Sequence, residues 1–317
     1  MAGPPLLAAG LLLAPDEGKP VNGFRPGLLP DGSGWQAMAR FQASIPGRPP
    51  ARWRMARSGG GRQVPLQRLR VLFALVVREM STKFGRSWGG YLWGVAEPVG
   101  GILMLTFAFS FAFPRPPIGT NFPLFYATGI IPFFLFTTVS ASAAQAIVSN
   151  RGLLTYPVVR PLDAVLAKFI TDFVTMFVTG VVLFTSIILY YDLPVTLDLA
   201  AIFNGFLLMG LLGLGIGTLN CAIMGFWPTW RHIWSVLTKP IFIISGMFFI
   251  FESIPAKGQA VLWYNPLIHA IGLMRAGFYD GYDPHYVSVA YVLGISGTLF
   301  VIGAYLLRRH RSRLLEL

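Results

Sequence analysis

Cysteine is nearly absent: the 317 residues hold one, Cys221, inside an apolar run. A single thiol excludes an intrachain disulfide and a cysteine-based metal cluster. The four histidines, His232, His269, His285 and His310, are scattered without metal-ligand spacing, so no metal site is expected. No Gly-x-x-x-x-Gly-Lys-Ser/Thr phosphate loop occurs, and the chain does not hydrolyse ATP by itself. Charge is sparse too, at 12% of residues against about a quarter in soluble domains. Apolar residues take that place: 54% of the chain is hydrophobic and the mean hydropathy is +0.61, which indicates an all-α polytopic membrane protein.

Acids are the scarcer sign, 13 against 25 Lys and Arg, and the surplus is lopsided. Residues 1 to 91 carry thirteen of the basic residues but only Asp16, Glu17, Asp31 and Glu79 as acids. In a soluble chain a pI near 10.2 suggests nucleic acid. Here the same excess fits the Lys/Arg bias of cytoplasmic loops plus a basic tail at 308–317, and no nucleic-acid partner is expected.

Residues 1–64 are dense in breakers, among them Pro4-Pro5, Pro49-Pro50 and Gly59-Gly60-Gly61, and are expected to be a disordered tail. The apolar patch Leu6 to Ala14 lacks the basic region of a signal peptide. Met55 is the expected functional start, or else the tail is dispensable. From 65 to 90 the pattern changes: Leu66, Leu69, Phe73, Val76, Val77, Met80 and Phe84 recur with helical period on one stripe. Gln67, Arg70, Arg78, Ser81 and Thr82 face the other way, which predicts an amphipathic helix lying in the cytoplasmic interface.

The transmembrane domain is expected over 91–307, with six spans near 91–113, 122–148, 163–190, 199–226, 233–251 and 287–307. Arg151, Arg160, Arg231 and Arg308 to Arg313 fall on the side of the N-terminal region, while Arg115, Lys257 and Arg275 fall opposite. Both termini are therefore expected in the cytoplasm. Pro132 should kink the second span. The Gly213 to Gly217 spacing permits close helix approach, inside one subunit or at a dimer contact. Between Glu252 and Tyr286, the run Leu267 to Met274 is too short to span, and predicts re-entrant or interfacial helices before the last span.

Two stretches have the composition of working surfaces. Lys83 and Arg86 precede Trp88, Tyr91 and Trp93, cations followed by aromatics that stack on sugar rings or anchor in headgroups. Glu97 then enters an apolar span beside Pro98, as a functional intramembrane acid or as a carboxylate near unpaired amides at a helix start or kink. Asp163 and Asp172 read as capping or pairing groups, with Lys168 the i, i+4 partner of Asp172. The second surface is the loop holding Arg151, Leu153, Leu154, Tyr156, Pro157 and Arg160, whose apolar residues suit insertion into a groove on a soluble partner.

The stretch Arg78-Glu79, Lys83-Phe84-Gly85, Gly90-Tyr91-Leu92-Trp93 and Glu97-Pro98 resembles the signature of ABC-2 type permeases that export capsular polysaccharide. Ser245-Gly246-Met247-Phe248, Pro255, Tyr264-Asn265-Pro266-Leu267 and Arg275 are similar to the last third of that family, so the resemblance covers about 66 to 307. Members often carry a carboxylate near Gly272, which is missing here. The resemblance implies the transmembrane subunit of an ATP-driven exporter, not an enzyme, in the bacterial inner membrane. It implies a homodimer with two copies of a separate ATPase that binds ATP and Mg, so this chain needs no cofactor. The substrate is expected to be a lipid-linked acidic polysaccharide, with a periplasmic co-polymerase type adaptor and an outer-membrane exporter as further partners. It also implies that Arg151 to Arg160 is the ATPase-coupling segment, and it points to Lys83, Arg86, Trp88, Tyr91, Trp93, Glu97 and Arg275 for substrate entry and translocation. An O-antigen or teichoic-acid permease, a small-molecule exporter and a membrane-embedded transferase are the alternatives.

Overall fold

The computed structural model describes residues 65–84, 88–154 and 159–310, with side chains for 69–83, 94–154 and 159–310. The expected tail 1–64, Arg86, Tyr156, Pro157 and residues 311–317 lie outside these, as do the side chains of Trp88, Tyr91 and Trp93. Every regular element among the described residues is helical. In chain order they are α1 (Pro65–Phe84), α2 (Trp88–Ser110), α3 (Phe122–Ala144), α4 (Ala146–Ser149), α5 (Arg151–Leu154) and α6 (Pro161–Tyr190). Next come α7 (Leu199–Phe226), α8 (Trp230–Ile243), a 3-10 turn at Phe251–Ser253, α9 (Ala256–Leu262), α10 (Pro266–Ala276) and α11 (Val289–Arg309).

Side chains start the long helices where the first amides have no carbonyl partner. Asn121 accepts from Leu124 N at 3.0 Å for α3, and Asp198 accepts from Ala200 N and Ala201 N at 2.9 and 3.1 Å for α7. Asp163 closes α6 by accepting from Arg160 N at 3.0 Å, the capping role expected of it. Pro132 lies inside α3, which continues through it.

The core forms around α3, whose apolar stretch is 78% buried, against 17% for α11 at the edge. Sheathing α3 are α2, α6, α7 and α10, and α7 packs in turn on α11. Two close crossings seat α7. A Cβ at Gly215 would lie 2.5 Å from the Ser296 carbonyl oxygen of α11, and one at Gly217 would lie 2.8 Å from the Ser140 carbonyl oxygen of α3. The Gly213 to Gly217 spacing therefore serves packing within the subunit.

Four helices, α3, α6, α7 and α11, are long and apolar enough to cross a membrane. They coincide with four of the six expected spans. In α2 the residues with described side chains, Gly94–Ser110, form a shorter apolar helix. The fifth expected span ends early: α8 has 14 residues, contains Pro240, and stops before Gly246, whose φ of +85° is left-handed backbone. Val174, Val178, Val181 and Val182 of α6 and Leu103, Met104 and Phe107 of α2 point outward, apolar faces that need lipid or another protein surface over them.

Candidate translocation and coupling site

Helix α1 leaves much of its apolar stripe uncovered by the protein. Leu69, Phe73, Val77 and Met80 of the stripe are exposed, Leu75 is buried and Val76 half-buried, and the charged residues Arg78, Glu79 and Lys83 reach the protein. Glu79 pairs with Lys168 of α6, and Lys83 Nζ lies 2.5 Å from Asp172 Oδ1. Both partners advance four residues from one pair to the next, so α1 and α6 run side by side in the same direction here. The charges alternate, and a one-turn slip would set Glu79 against Asp172; the ladder thereby fixes the register. Asp172 is 3% exposed and also accepts from Ser142 of α3. The expected helix pair of Asp172 with Lys168 is not formed, because α1 supplies a partner to each.

The same helix reaches the coupling loop, since Arg78 Nη1 donates to Asn150 Oδ1 at 2.8 Å. Asn150 is buried and its amide donates to Ala146 O at 3.1 Å, ending α4 and turning the chain into α5. Leu154 N bonds Asn150 O at 3.1 Å, and this turn carries the Leu154 side chain back into the core, 1% exposed. The expectation that Leu153, Leu154 and Tyr156 are exposed together is corrected for Leu154. Leu153 is half-buried, and Arg151 and Arg160 are exposed.

Arg275 occupies a different kind of place. It is 2% exposed, with Nη1 donating to Phe249 O and Nη2 to Met247 O, both at 2.8 Å, and its guanidinium lies 4.3 Å from the Phe125 ring centroid. Its fork pins the irregular segment after α8 onto α10 and α3, so its charge is not presented to a passing solute. Burial lowers its pKa, opposed by Tyr282, Tyr286, Tyr279 and Glu252. Tyr282 donates to Glu252 Oε2 at 3.1 Å, and Tyr286 is pushed up to about 12 by burial, so it stays a neutral phenol. A Cβ on Gly272 would sit 2.3 Å from the Tyr286 hydroxyl, which leaves no room there for the carboxylate that the resemblance leads one to look for. The acid near Arg275 is instead Glu252, which local sequence reading did not single out.

Glu97 is exposed and lies well inside α2 beside the buried Pro98, away from the free amides of the helix start. The structure thus brings Lys83 to Asp172 and Arg78 to Asn150, and sets Arg275 apart in its own buried pocket. No group of three His, Cys, Asp or Glu forms a metal cage among the described residues.

Four membrane-length helices and an outward-apolar helix gripped through its charges define a multi-pass membrane protein. The chain belongs to the ABC-2 type transporter family, whose model matches residues 70–279, and is thus a transport membrane subunit. It is 31% identical over 266 residues to the polysialic acid transport protein KpsM of Escherichia coli, covering 82% of this chain and 99% of that one. Similarity to the capsule polysaccharide export inner-membrane protein CtrC of Neisseria meningitidis is 25% over 240 residues, covering 76% and 91%. The O-antigen export system permease protein RfbA of Klebsiella pneumoniae is 24% identical over 257 residues, covering 78% and 94%.

Proposed function

We infer that this chain is the permease subunit of an ATP-driven exporter that moves lipid-anchored acidic capsular polysaccharide from the cytoplasm across the inner membrane. The observation that carries the reading is the match to KpsM over 99% of that protein's length. The 31% identity to KpsM, against 24% to RfbA, favours capsule over O-antigen.

In this reading two copies of the chain form the pathway, each served by one copy of a separate ATPase that binds ATP and Mg. The outward apolar faces of α2 and α6 supply surface for lipid and for a second subunit. Six crossings are reached if α2 spans with its full 23 residues, about 34 Å at 1.5 Å per residue, and α8 crosses together with the irregular segment after it. Both termini then lie in the cytoplasm, with α1 in the interface and α9 and α10 at the periplasmic side. The exposed stripe of α1 supports its place, since uncovered apolar side chains suit acyl chains and headgroups. Lys83, Arg86, Trp88, Tyr91, Trp93 and Glu97 border substrate entry, while Leu153 and Arg160, with Tyr156 and Pro157, face the ATPase and Arg151 stands at the edge of that contact. A periplasmic adaptor and an outer-membrane exporter continue the route.

The test is complementation of an encapsulated bacterium lacking its capsule permease, supplied with this chain and its cognate ATPase. Restored surface polysaccharide is the expected result. Polymer retained in the cytoplasm, with permease and ATPase correctly assembled, would overturn the substrate assignment.

A further inference from the structure

A cavity of about 420 Å³ opens where α3, α4, the end of α7 and the start of α8 meet. Arg151, Arg231 and His232 line it and are exposed, while Ile147, Cys221 and Met224 give it an apolar floor. No carboxylate lines it, and among the described residues no acid lies within ion-pair distance of Arg151 or Arg231. Its position along the membrane-length helices is also defined. The cavity sits where α7 ends at Phe226, beside Trp227, which is 52% exposed, and Trp230. Their rings are 6.2 Å apart, and Trp230 Nε1 donates to Asn220 Oδ1 at 2.9 Å, which holds the indole in place. Paired indoles at a span end mark headgroup depth.

We propose that this cavity binds the phosphate-bearing headgroup of an anionic phospholipid from the adjoining leaflet. The guanidinium groups of Arg151 and Arg231 take the phosphate in bidentate fashion, and the apolar floor receives the glycerol and upper acyl carbons. Topology alone asks for cations near a span end, but not for two arginines lining a concave apolar floor between α3, α4, α7 and α8. An acidic segment of a partner protein would match the charge yet leave that floor unfilled, so the lipid fits better.

The full chain, reconstituted in nanodiscs of phosphatidylglycerol and phosphatidylcholine and released into detergent, is probed by native mass spectrometry for retained lipid. Phosphatidylglycerol is expected to be retained in preference to phosphatidylcholine. Arg231→Gln removes a charge-assisted bond and should weaken that preference about tenfold. Val148→Trp, which fills the mouth of the cavity, should abolish it in a protein of unchanged melting temperature. Arg309→Gln, a cation of the last helix outside the cavity, should leave the preference intact. Equal retention in Arg231→Gln and wild type, or equal loss in Arg309→Gln, would overturn the proposal. Full displacement by inorganic phosphate would reassign the cavity to soluble anions, and displacement by the bound ATPase would assign it to the subunit contact; either result also overturns the lipid reading.

Discussion

Lys83 and Asp172 meet across the seam between α1 and α6 with 2.5 Å between Nζ and Oδ1, and they differ in their access to water. The lysine side chain is 35% exposed and the aspartate 5%. Lys83→Gln leaves a buried carboxylate with only Ser142, whereas Asp172→Asn leaves a lysine whose stem lets the ammonium swing to water. Lys83→Gln should therefore destabilise more, by about 1 to 3 kcal/mol once the partial exposure of the pair is allowed for. Melting in detergent reads the order. Equal losses would show that the pair carries no buried-charge penalty.

Restoring neutrality separates the fold from transport. The double variant Lys83→Gln with Asp172→Asn should regain most of the lost stability and stay in the membrane. In the proposed function Lys83 borders substrate entry, and a third of its side chain is in solvent. Export should accordingly fall in the double variant while ATPase assembly is normal. Normal capsule export by that variant would confine Lys83 to holding α1 in place.

In the coupling loop the two adjacent leucines should behave oppositely. Leu154→Asp puts a carboxylate into the core and is expected to reduce protein level, since burying an unpaired charge is among the most damaging changes. Leu153→Asp with Arg160→Glu alters one half-buried and one exposed residue and should leave the level unchanged while ATPase copurification is lost. Retention of the ATPase by this pair would exclude the segment as its docking surface.

Arg275 holds the carbonyls of Met247 and Phe249 with two nitrogens of one rigid fork. Hydrogen bonds to a charged group contribute about 1.5 to 3 kcal/mol each, so Arg275→Met should cost about 3 kcal/mol or more and expose the segment after α8 to protease. A lysine has one ammonium and cannot bridge both carbonyls in the same geometry. Arg275→Lys should therefore remain well below wild type in melting temperature; full rescue would mean that charge, and not the fork, is what matters.

How much of the fold and site was readable from sequence depended on whether the deciding partner was local. Unbroken apolar runs gave α3, α6, α7 and α11, and the cap of α6 could be read because Asp163 is three residues from Arg160. The apolar stripe of α1 was also visible, but the ion pairs that hold the helix were not, since Lys168 and Asp172 lie 89 positions beyond Glu79 and Lys83. Likewise, nothing in the spacing shows that the turn at Asn150 folds Leu154 inward. The break in the fifth expected span was hidden for a related reason. The run from Ile241 to Phe251 is almost uniformly apolar, so periodicity could not reveal the left-handed turn at Gly246 or the guanidinium that pins Met247 and Phe249 just beyond it.

His269 supplies a test by pH. Its Nε2 donates to Trp263 O at 2.7 Å and its Nδ1 accepts from Ser288 N at 3.2 Å, a pattern that only the neutral ring satisfies. Burial lowers its pKa from the ordinary value, although the Trp263 and Tyr286 carbonyls oppose the shift. Protonation would place an N–H against the Ser288 N–H and cut the link between α10 and the start of α11. For a base with a depressed folded pKa, the unfolded chain binds the proton more readily. The stability that His269 contributes is thus fully present above an unfolded pKa of about 6.5 and is lost as pH falls through the folded value. Wild type should melt at a lower temperature at acidic pH than at neutral pH, and His269→Gln, which offers a donor and an acceptor but cannot titrate, should flatten that dependence. An acid-induced loss of the same size in His269→Gln would place the sensitivity on other groups.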